Sequence, residues 1–371
     1  MAAARRPVPR RPGPQRPGQQ PPAQRRPVQR PVQRRPGQDG PGQDRTGQGG
    51  PQSAGPGGLL SGRVRDPQPR VDYSQVLVEP GEGRLAGAFG IAGGLLGYAL
   101  VVPLVLQALL LAGWLAGGRS GSFSDYAHRA QGFETIWGLT ATHLALACLI
   151  PVVLLLARYL HHRAPRWVWS VQPGLRARFL VWVMLVAVIV LNLTQILARG
   201  YGHLDFQVPH LWWLWLLAIL LTSPLQAAAE EVFFRGYLLN CFGSLGANRW
   251  VAVIASALVF ALFHGTQNLW LFLDRLSFGL AAGALVILTG GLEAGIAAHV
   301  VNNLFAFGYA VFLGGAAQAR GITSMGVVDA LWDVGGFVGV AMAAWWIGRL
   351  MRVARLTPGP TGGDLRSTRR G

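Results

Sequence analysis

Residues 211–240 read LWWLWLLAILLTSPLQAAAEEVFFRGYLLN. The first half is as apolar as anything in the chain, yet it runs into two adjacent carboxylates, Glu230 and Glu231, with Arg235 close behind. A charge at bilayer depth costs at least ~2.5–3.5 kcal/mol on insertion scales. Two side by side either mark the water boundary or have a chemical task. Glu231 and Arg235 are four residues apart, so on a helix they share one face and can pair. Glu230 is rotated ~100° away and stays available for another partner.

The surrounding composition decides the fold class. The chain is 51% hydrophobic, with a mean hydropathy of +0.33. After residue 84 its apolar residues gather in blocks of roughly 20, the length that crosses ~30 Å of hydrocarbon. The expectation is an all-α, polytopic membrane protein of about eight transmembrane helices. The candidate spans are 86–116, 137–157, 179–198, 211–232, 250–268, 274–290, 293–313 and 326–348. The first contains Gly90, Gly94 and Gly97, small residues spaced for close helix packing. Lys is absent, so the formal charge of +17 comes from Arg. Cys148 and Cys241 support neither a disulfide framework nor a cysteine metal site.

Residues 1–70 form a Pro/Arg/Gln/Gly tract with 14 Arg against 3 Asp. Such a tract buries too little apolar surface to offset the entropy of ordering, which predicts a disordered cytoplasmic tail. No apolar stretch follows its basic start, so it does not read as a signal peptide. Retention and solubility are its expected roles, with anionic lipid headgroups or nucleic acid as alternative contacts; no nucleic-acid partner is expected of the protein as a whole. Residues 71–350 form the membrane domain, with its motif-bearing core at 208–307, and 351–371 a basic, disordered C-terminal tail.

Charge placement orients the chain. Segment 158–178 carries five Arg and no acid, and the residues after 348 carry six Arg and one Asp. Loops 118–135 and 199–207 balance to zero. An even number of spans puts all the Arg-rich segments, and both termini, on the cytoplasmic side of a plasma or inner membrane. No internal repeat is visible, which argues against a transporter built from inverted halves.

Two more polar clusters interrupt apolar spans. FALFHGTQN, residues 260–268, places His264 one turn above Phe260, whose ring can pack under the imidazole. AAHVVNNLFAF, residues 297–307, places His299 and Asn303 at i and i+4, so both project into one space, while Asn302 points elsewhere. Taken singly, these are a charged helix end, an interfacial histidine and polar glue between helices worth ~0.6 kcal/mol. Taken together they argue for a shared interior cavity, because none can face lipid. His143, Gln195, Thr289, Asp329 and Asp333 lack such company and read as packing or interfacial residues.

A carboxylate facing an imidazole can activate water as a general base. A second imidazole and an amide NH2 are donors suited to an oxyanion hole. These are parts for peptide-bond hydrolysis without a covalent intermediate. HExxH is absent, as is a GxSG-type serine on a span. Two His and a Glu could still hold zinc, which remains an alternative to a cofactor-free site. A proton- or ion-coupled transporter would use the same buried carboxylates as a relay.

EExxxR, FxxxH and HxxxN, in this order on separate helices, resemble the motifs of the CPBP intramembrane proteases. That family includes the CAAX prenyl protease type II enzymes and the bacterial Abi proteins. Here the motifs read Glu230-Glu231 to Arg235, Phe260 to His264, and His299 to Asn303, and the resemblance covers roughly residues 208–307. It implies an eight-helix, glutamate-dependent endopeptidase. Glu230 and His264 would activate water, His299 and Asn303 would stabilise the oxyanion, and Glu231 and Arg235 would support them. The implied substrate is a membrane-associated or lipidated peptide, with a prenylated CAAX-type peptide as one candidate. A non-enzymatic protein of the same fold, with an immunity or binding role, is the alternative.

Depth poses a condition. If span five starts near Trp250, His264 lies ~21 Å along it at 1.5 Å per residue. Glu230, at the end of a helix starting at Leu211, is then too shallow to meet it. Span four must break at Pro224 or continue past Arg235, or span five must tilt or begin deeper.

Overall fold

The computed structural model describes residues 64–77, 84–199, 206–246, 248–265 and 267–359. The disorder expected of the two tails falls mostly on residues 1–63 and 360–371, outside the described residues. Among the described residues the chain is helical throughout: α1 (Arg84–Ala116), α2 (Phe123–Gln131), α3 (Ile136–Ala147), α4 (Leu149–Tyr159), α5 (Ala177–Arg199), α6 (Trp212–Glu231), α7 (Leu239–Ser244), α8 (Arg249–Leu262), α9 (Leu269–Thr289), α10 (Glu293–Phe312), α11 (Ala316–Arg320) and α12 (Val327–Leu350).

Local chemistry sets several of these boundaries. Thr135 caps α3 by accepting the Gly138 N–H at 3.1 Å, and Asn268 caps α9 by accepting the Leu271 N–H at 3.0 Å. Pro151 has no N–H to donate to the turn before it, and the α3–α4 rod is interrupted just there, at Cys148. Pro224, in contrast, sits inside α6 without breaking it. A π-helical turn, Val232–Leu238, then carries the rod on into α7. In that turn the Leu239 N–H reaches back five residues to the Phe234 carbonyl, which also accepts the Ser256 hydroxyl at 2.6 Å.

Among the described residues, seven helical stretches are long and apolar enough to cross a membrane: Arg84–Ala116, Ile136–Tyr159, Ala177–Ala198, Trp212–Ser244, Leu269–Thr289, Glu293–Phe312 and Val327–Leu350. Two of the expected spans need correction. Span four does not stop at 232 but runs to Ser244. Span five, expected over 250–268, is the shorter α8, Arg249–Leu262, only ~21 Å long at 1.5 Å per residue. Gly265, at φ 78°, turns the chain, the Asn268 cap starts α9 at once, and Asn268 bonds the Thr323 and Met325 carbonyls, so the tip of the α8–α9 hairpin lies beside the segment that leads into α12.

α6 packs between α3 and α10, α8 lies along α9, and α5 packs on α10 and α12. Gly90 and Gly94 bring α1 against the π turn and α7: a Cβ would come within 2.7 Å of Cys241 Sγ at Gly90, and within 2.8 Å of the Tyr237 ring at Gly94. Large apolar side chains such as Leu104, Ile189, Leu221 and Met342 point outward, as lipid contact requires.

One end of the bundle gathers the segments before α1, after α4 and after α12. Residues 64–70, which the sequence assigns to the N-terminal tail, lie against the α4–α5 connection: Arg65 N–H bonds the His162 carbonyl at 2.9 Å, and Asp66 accepts the Trp167 indole N–H at 2.8 Å. That bond, with Arg166 beside it, holds the Asp66 carboxyl below its ordinary value. Thr357, assigned to the C-terminal tail, pairs with Val71 through backbone and side chain. Beneath them the buried Glu293 carboxylate binds Arg176 at 2.6 and 2.8 Å, and Arg176 also donates to the Thr289 and Ala354 carbonyls. This ion pair ties the starts of α5 and α10 to the end of α9 and the chain after α12.

Removing one partner of a buried ion pair strands the other. Arg176→Ala or Glu293→Ala is therefore expected to cost about 3–5 kcal/mol, read as a lower unfolding temperature in detergent. Arg166→Ala, which breaks the exposed pair with Asp66, should cost under about 1 kcal/mol in the same assay.

Candidate active site

α6 reaches mid-bundle with Gln226, Glu230 and Glu231 on it, all buried. The expected pairing of Glu231 with Arg235 is present, at 2.8 Å, across the first turn of the π segment. Glu231 Oε1 also meets His299 Nδ1 at 2.9 Å, so one carboxylate joins α6 to α10. Gly295, one turn before His299, leaves the room: a Cβ there would stand 2.7 Å from Glu231 Oε2.

Arg235 is fully buried, and its Nε and Nη2 have no hydrogen-bond acceptor. Its guanidinium instead lies 4.1 Å from the Phe260 ring centroid, 5.6 Å from Phe278 and 6.0 Å from Phe234. Aromatic faces attract a desolvated cation by ~2 kcal/mol or more, which replaces part of the missing hydration. Phe260 thus serves the arginine as well as the histidine that the sequence assigned to it. The same rings sort the imidazoles: Phe260 stands 4.6 Å from His264 and 6.1 Å from His299, and Phe278 stands 4.9 Å from His299.

Glu230 faces a different set. Its Oε1 accepts Gln226 Nε2 at 2.7 Å. Its Oε2 has no hydrogen-bond donor and lies 3.6 Å from His299 Nε2. Gln226 Oε1 in turn accepts Asn303 Nδ2 at 2.9 Å, and Asn302 donates to Asn303 Oδ1 at 3.2 Å. Glu230 and Asn303 are therefore hydrogen-bonded through Gln226, a residue that the sequence motifs did not single out, while His299 stands beside Glu230 and bonds Glu231 instead. Gln226 precedes Glu230 by four, so its place on the same helical face was readable as a polar stripe. Phe278 had no such signal, because nothing in the apolar α9 marks one ring above another.

His264 joins less directly. It is not on a span, as expected, but in the turn after α8, exposed at the hairpin tip. Its Nδ1 lies 2.8 Å from the Phe260 carbonyl. A carbonyl only accepts, so Nδ1 carries the hydrogen and a neutral ring keeps its lone pair on Nε2. The Phe260 ring links His264 to His299. Of the adjustments that the depth condition allows, the structure has the continuation of α6 beyond Arg235; α8 starts at Arg249, as expected, and ends at Leu262.

The other polar residues in spans pair elsewhere. His143 Nδ1 meets Thr222 Oγ1 at 2.9 Å, Gln195 donates to Asp333 at 2.7 Å, and Thr289 bonds the Leu285 carbonyl at 2.7 Å. Among the described residues, no three His, Cys, Asp or Glu side chains are arranged to hold a metal ion.

Gly295→Ala forces its methyl into Glu231 Oε2 and is expected to lower the unfolding temperature markedly. Gly335→Ala, a helical glycine with nothing within 4 Å of an added Cβ, should leave that temperature level or raise it slightly. Equal behaviour of the two variants would contradict the packing described.

Comparison with known proteins covers the segment that carries these residues. A family model for type II CAAX prenyl endopeptidases, Rce1-like, matches residues 210–305. The uncharacterized protein YyaK of Bacillus subtilis (strain 168) is 29% identical over 178 residues, which is 45% of this chain and 59% of that protein. No solved structure matches. Gln226, Glu230, Glu231, Arg235, Phe260, His264, Phe278, His299 and Asn303 all fall within the matched segment, and over that segment this multi-pass helical protein is similar to the Rce1-like family.

Proposed function

We propose that the protein is an intramembrane endopeptidase in which Glu230 and His264 activate a water against a peptide carbonyl. One observation carries the reading: Glu230 Oε2 is a buried carboxylate oxygen with no donor, 3.6 Å from His299 Nε2, and unlike Glu231, whose Oε2 also lacks a donor, Glu230 has no arginine or imidazole within hydrogen-bond distance. Such an atom calls for a water or substrate hydrogen. The match to the Rce1-like family supports the same reaction class.

Water placed between Glu230 Oε2 and the free Nε2 of His264 loses a proton to the carboxylate as its oxygen bonds to the carbonyl carbon. The carbonyl oxygen becomes an oxyanion. Asn303 keeps one N–H of its amide beyond the one given to Gln226 and can donate it there. His299 Nδ1–H is held by Glu231, so a second donor at Nε2 requires the imidazolium form. In that form the charges on Glu230, Glu231, Arg235 and His299 cancel, which suits a buried site. As the C–N bond breaks, the proton on Glu230 passes to the departing amine. Gln226 positions Glu230 and Asn303 and touches neither water nor substrate in this scheme.

The substrate in this reading is a membrane-associated or lipidated peptide, and a prenylated CAAX-type peptide is the first to try. The Arg-rich end that joins both terminal segments is assigned to the cytoplasmic side of a plasma or inner membrane.

The test is cleavage by detergent-purified protein of a farnesylated CAAX-type peptide and a membrane-peptide library. Glu230→Gln should abolish cleavage. Gln226→Leu, which removes positioning only, should lower it by roughly 10²-fold, as small misplacements do. Activity should persist in EDTA. Cleavage by Glu230→Gln at the wild-type rate would refute the glutamate mechanism, and activity lost to EDTA and restored by zinc would replace it with a metal-dependent one.

A further inference from the structure

The proposed mechanism leaves a cation beside His264 unused. Arg275, on α9, is half-buried, and its Nη1 donates to Gln267 Oε1 at 2.9 Å and towards the His264 carbonyl at 3.4 Å. Both acceptors are neutral. Among the described residues Arg275 makes no ion pair. Asp274 is next to it in sequence but rotated ~100° around the helix. Asp274 is itself buried, with Oδ1 unpartnered, so it does not serve as the counter-ion in contact. Arg320, on α11, has its guanidinium 5.4 Å from the Phe133 ring and likewise pairs with no carboxylate among the described residues. The chain just after α11 reaches the same hairpin: the Thr323 carbonyl accepts the Asn268 N–H at 2.9 Å, and the Met325 carbonyl accepts its side-chain amide at 2.9 Å.

A half-buried guanidinium whose hydrogen bonds go only to neutral acceptors keeps donors free for an anion. The planar fork of arginine matches a carboxylate with two parallel hydrogen bonds. Its bond to the backbone of His264 places it next to the group that activates water. We propose that Arg275, with Arg320, forms a carboxylate-binding subsite adjoining His264, which holds an acidic group of the peptide substrate. The acidic group is either the terminal carboxylate or an Asp or Glu side chain. The subsite rests on the peptidase reading for its use, and it makes Arg275 a determinant of which peptides bind.

Binding can be read without turnover on the Glu230→Gln protein, by fluorescence anisotropy with one farnesylated CAAX-type peptide in three forms. These are a free C-terminal carboxylate, a C-terminal amide, and the amide with a Glu near the C-terminus. At least one acid-bearing form is expected to bind about tenfold tighter than the plain amide, in line with charged hydrogen bonds of ~1.5–3 kcal/mol. Which form gains identifies the source of the carboxylate. The ratio should fall to about one when Arg275→Gln is added, and Arg275→Lys should retain part of it. Equal affinity for all three forms, or a preference that survives Arg275→Gln, would overturn the subsite. The peptide comparison alone decides the matter if the Arg275 variants do not fold. Cleavage by the intact enzyme with no acid preference would remove the subsite and leave the peptidase reading. Acid-dependent binding with no cleavage of any peptide would do the reverse.

Discussion

A carboxylate with no access to water must be given its partners by the fold, and Glu231 sets that requirement here. It lies wholly buried between Arg235 on its own rod and His299 on α10. Arg235 in turn needs the faces of Phe234, Phe260 and Phe278, which come from the π turn, α8 and α9. One ion pair therefore specifies the relative placement of four segments, because leaving either charge alone in the interior would cost several kcal/mol.

The second glutamate faces a different set of partners from the first. Glu230 points ~100° away, takes a single neutral donor from Gln226 and keeps its other oxygen open towards His299. The departures from regular helix around it serve this division. The π turn at Val232–Leu238 widens the rod just past the two carboxylates, and the shortened α8 lets His264 stand at a turn rather than on a helix face. π turns recur at functional sites for the same reason: they re-aim side chains without ending the helix.

At the other end of the bundle, Glu293 and Arg176 repeat the device for a structural purpose. There the ion pair also draws in the Thr289 and Ala354 carbonyls, so the chain after α12 is fastened to the starts of α5 and α10. The segment before α1 is then stitched to both neighbours through Arg65, Asp66 and Val71. Composition alone placed these segments in loose tails, because Pro, Gly and Arg carry no periodic signal for such long-range backbone pairing.

The sequence by itself determined the all-helical membrane architecture, since blocks of apolar residues of bilayer length have no other way to satisfy their backbones. It also determined the Glu231–Arg235 pairing and the shared face of His299 and Asn303, because four-residue spacing on a helix is local geometry. Only the tertiary structure decided what meets across helices: Gln226 bridging Glu230 and Asn303, Phe278 against His299, and Glu293 on Arg176. It likewise decided that α8 stops at Leu262 and that α6 continues through a π turn, against the expected spans of 250–268 and 211–232. Hydropathy reports only that a residue can be buried. How far a helix runs before it turns depends on the capping atoms, packed rings and open carbonyls that neighbouring helices supply.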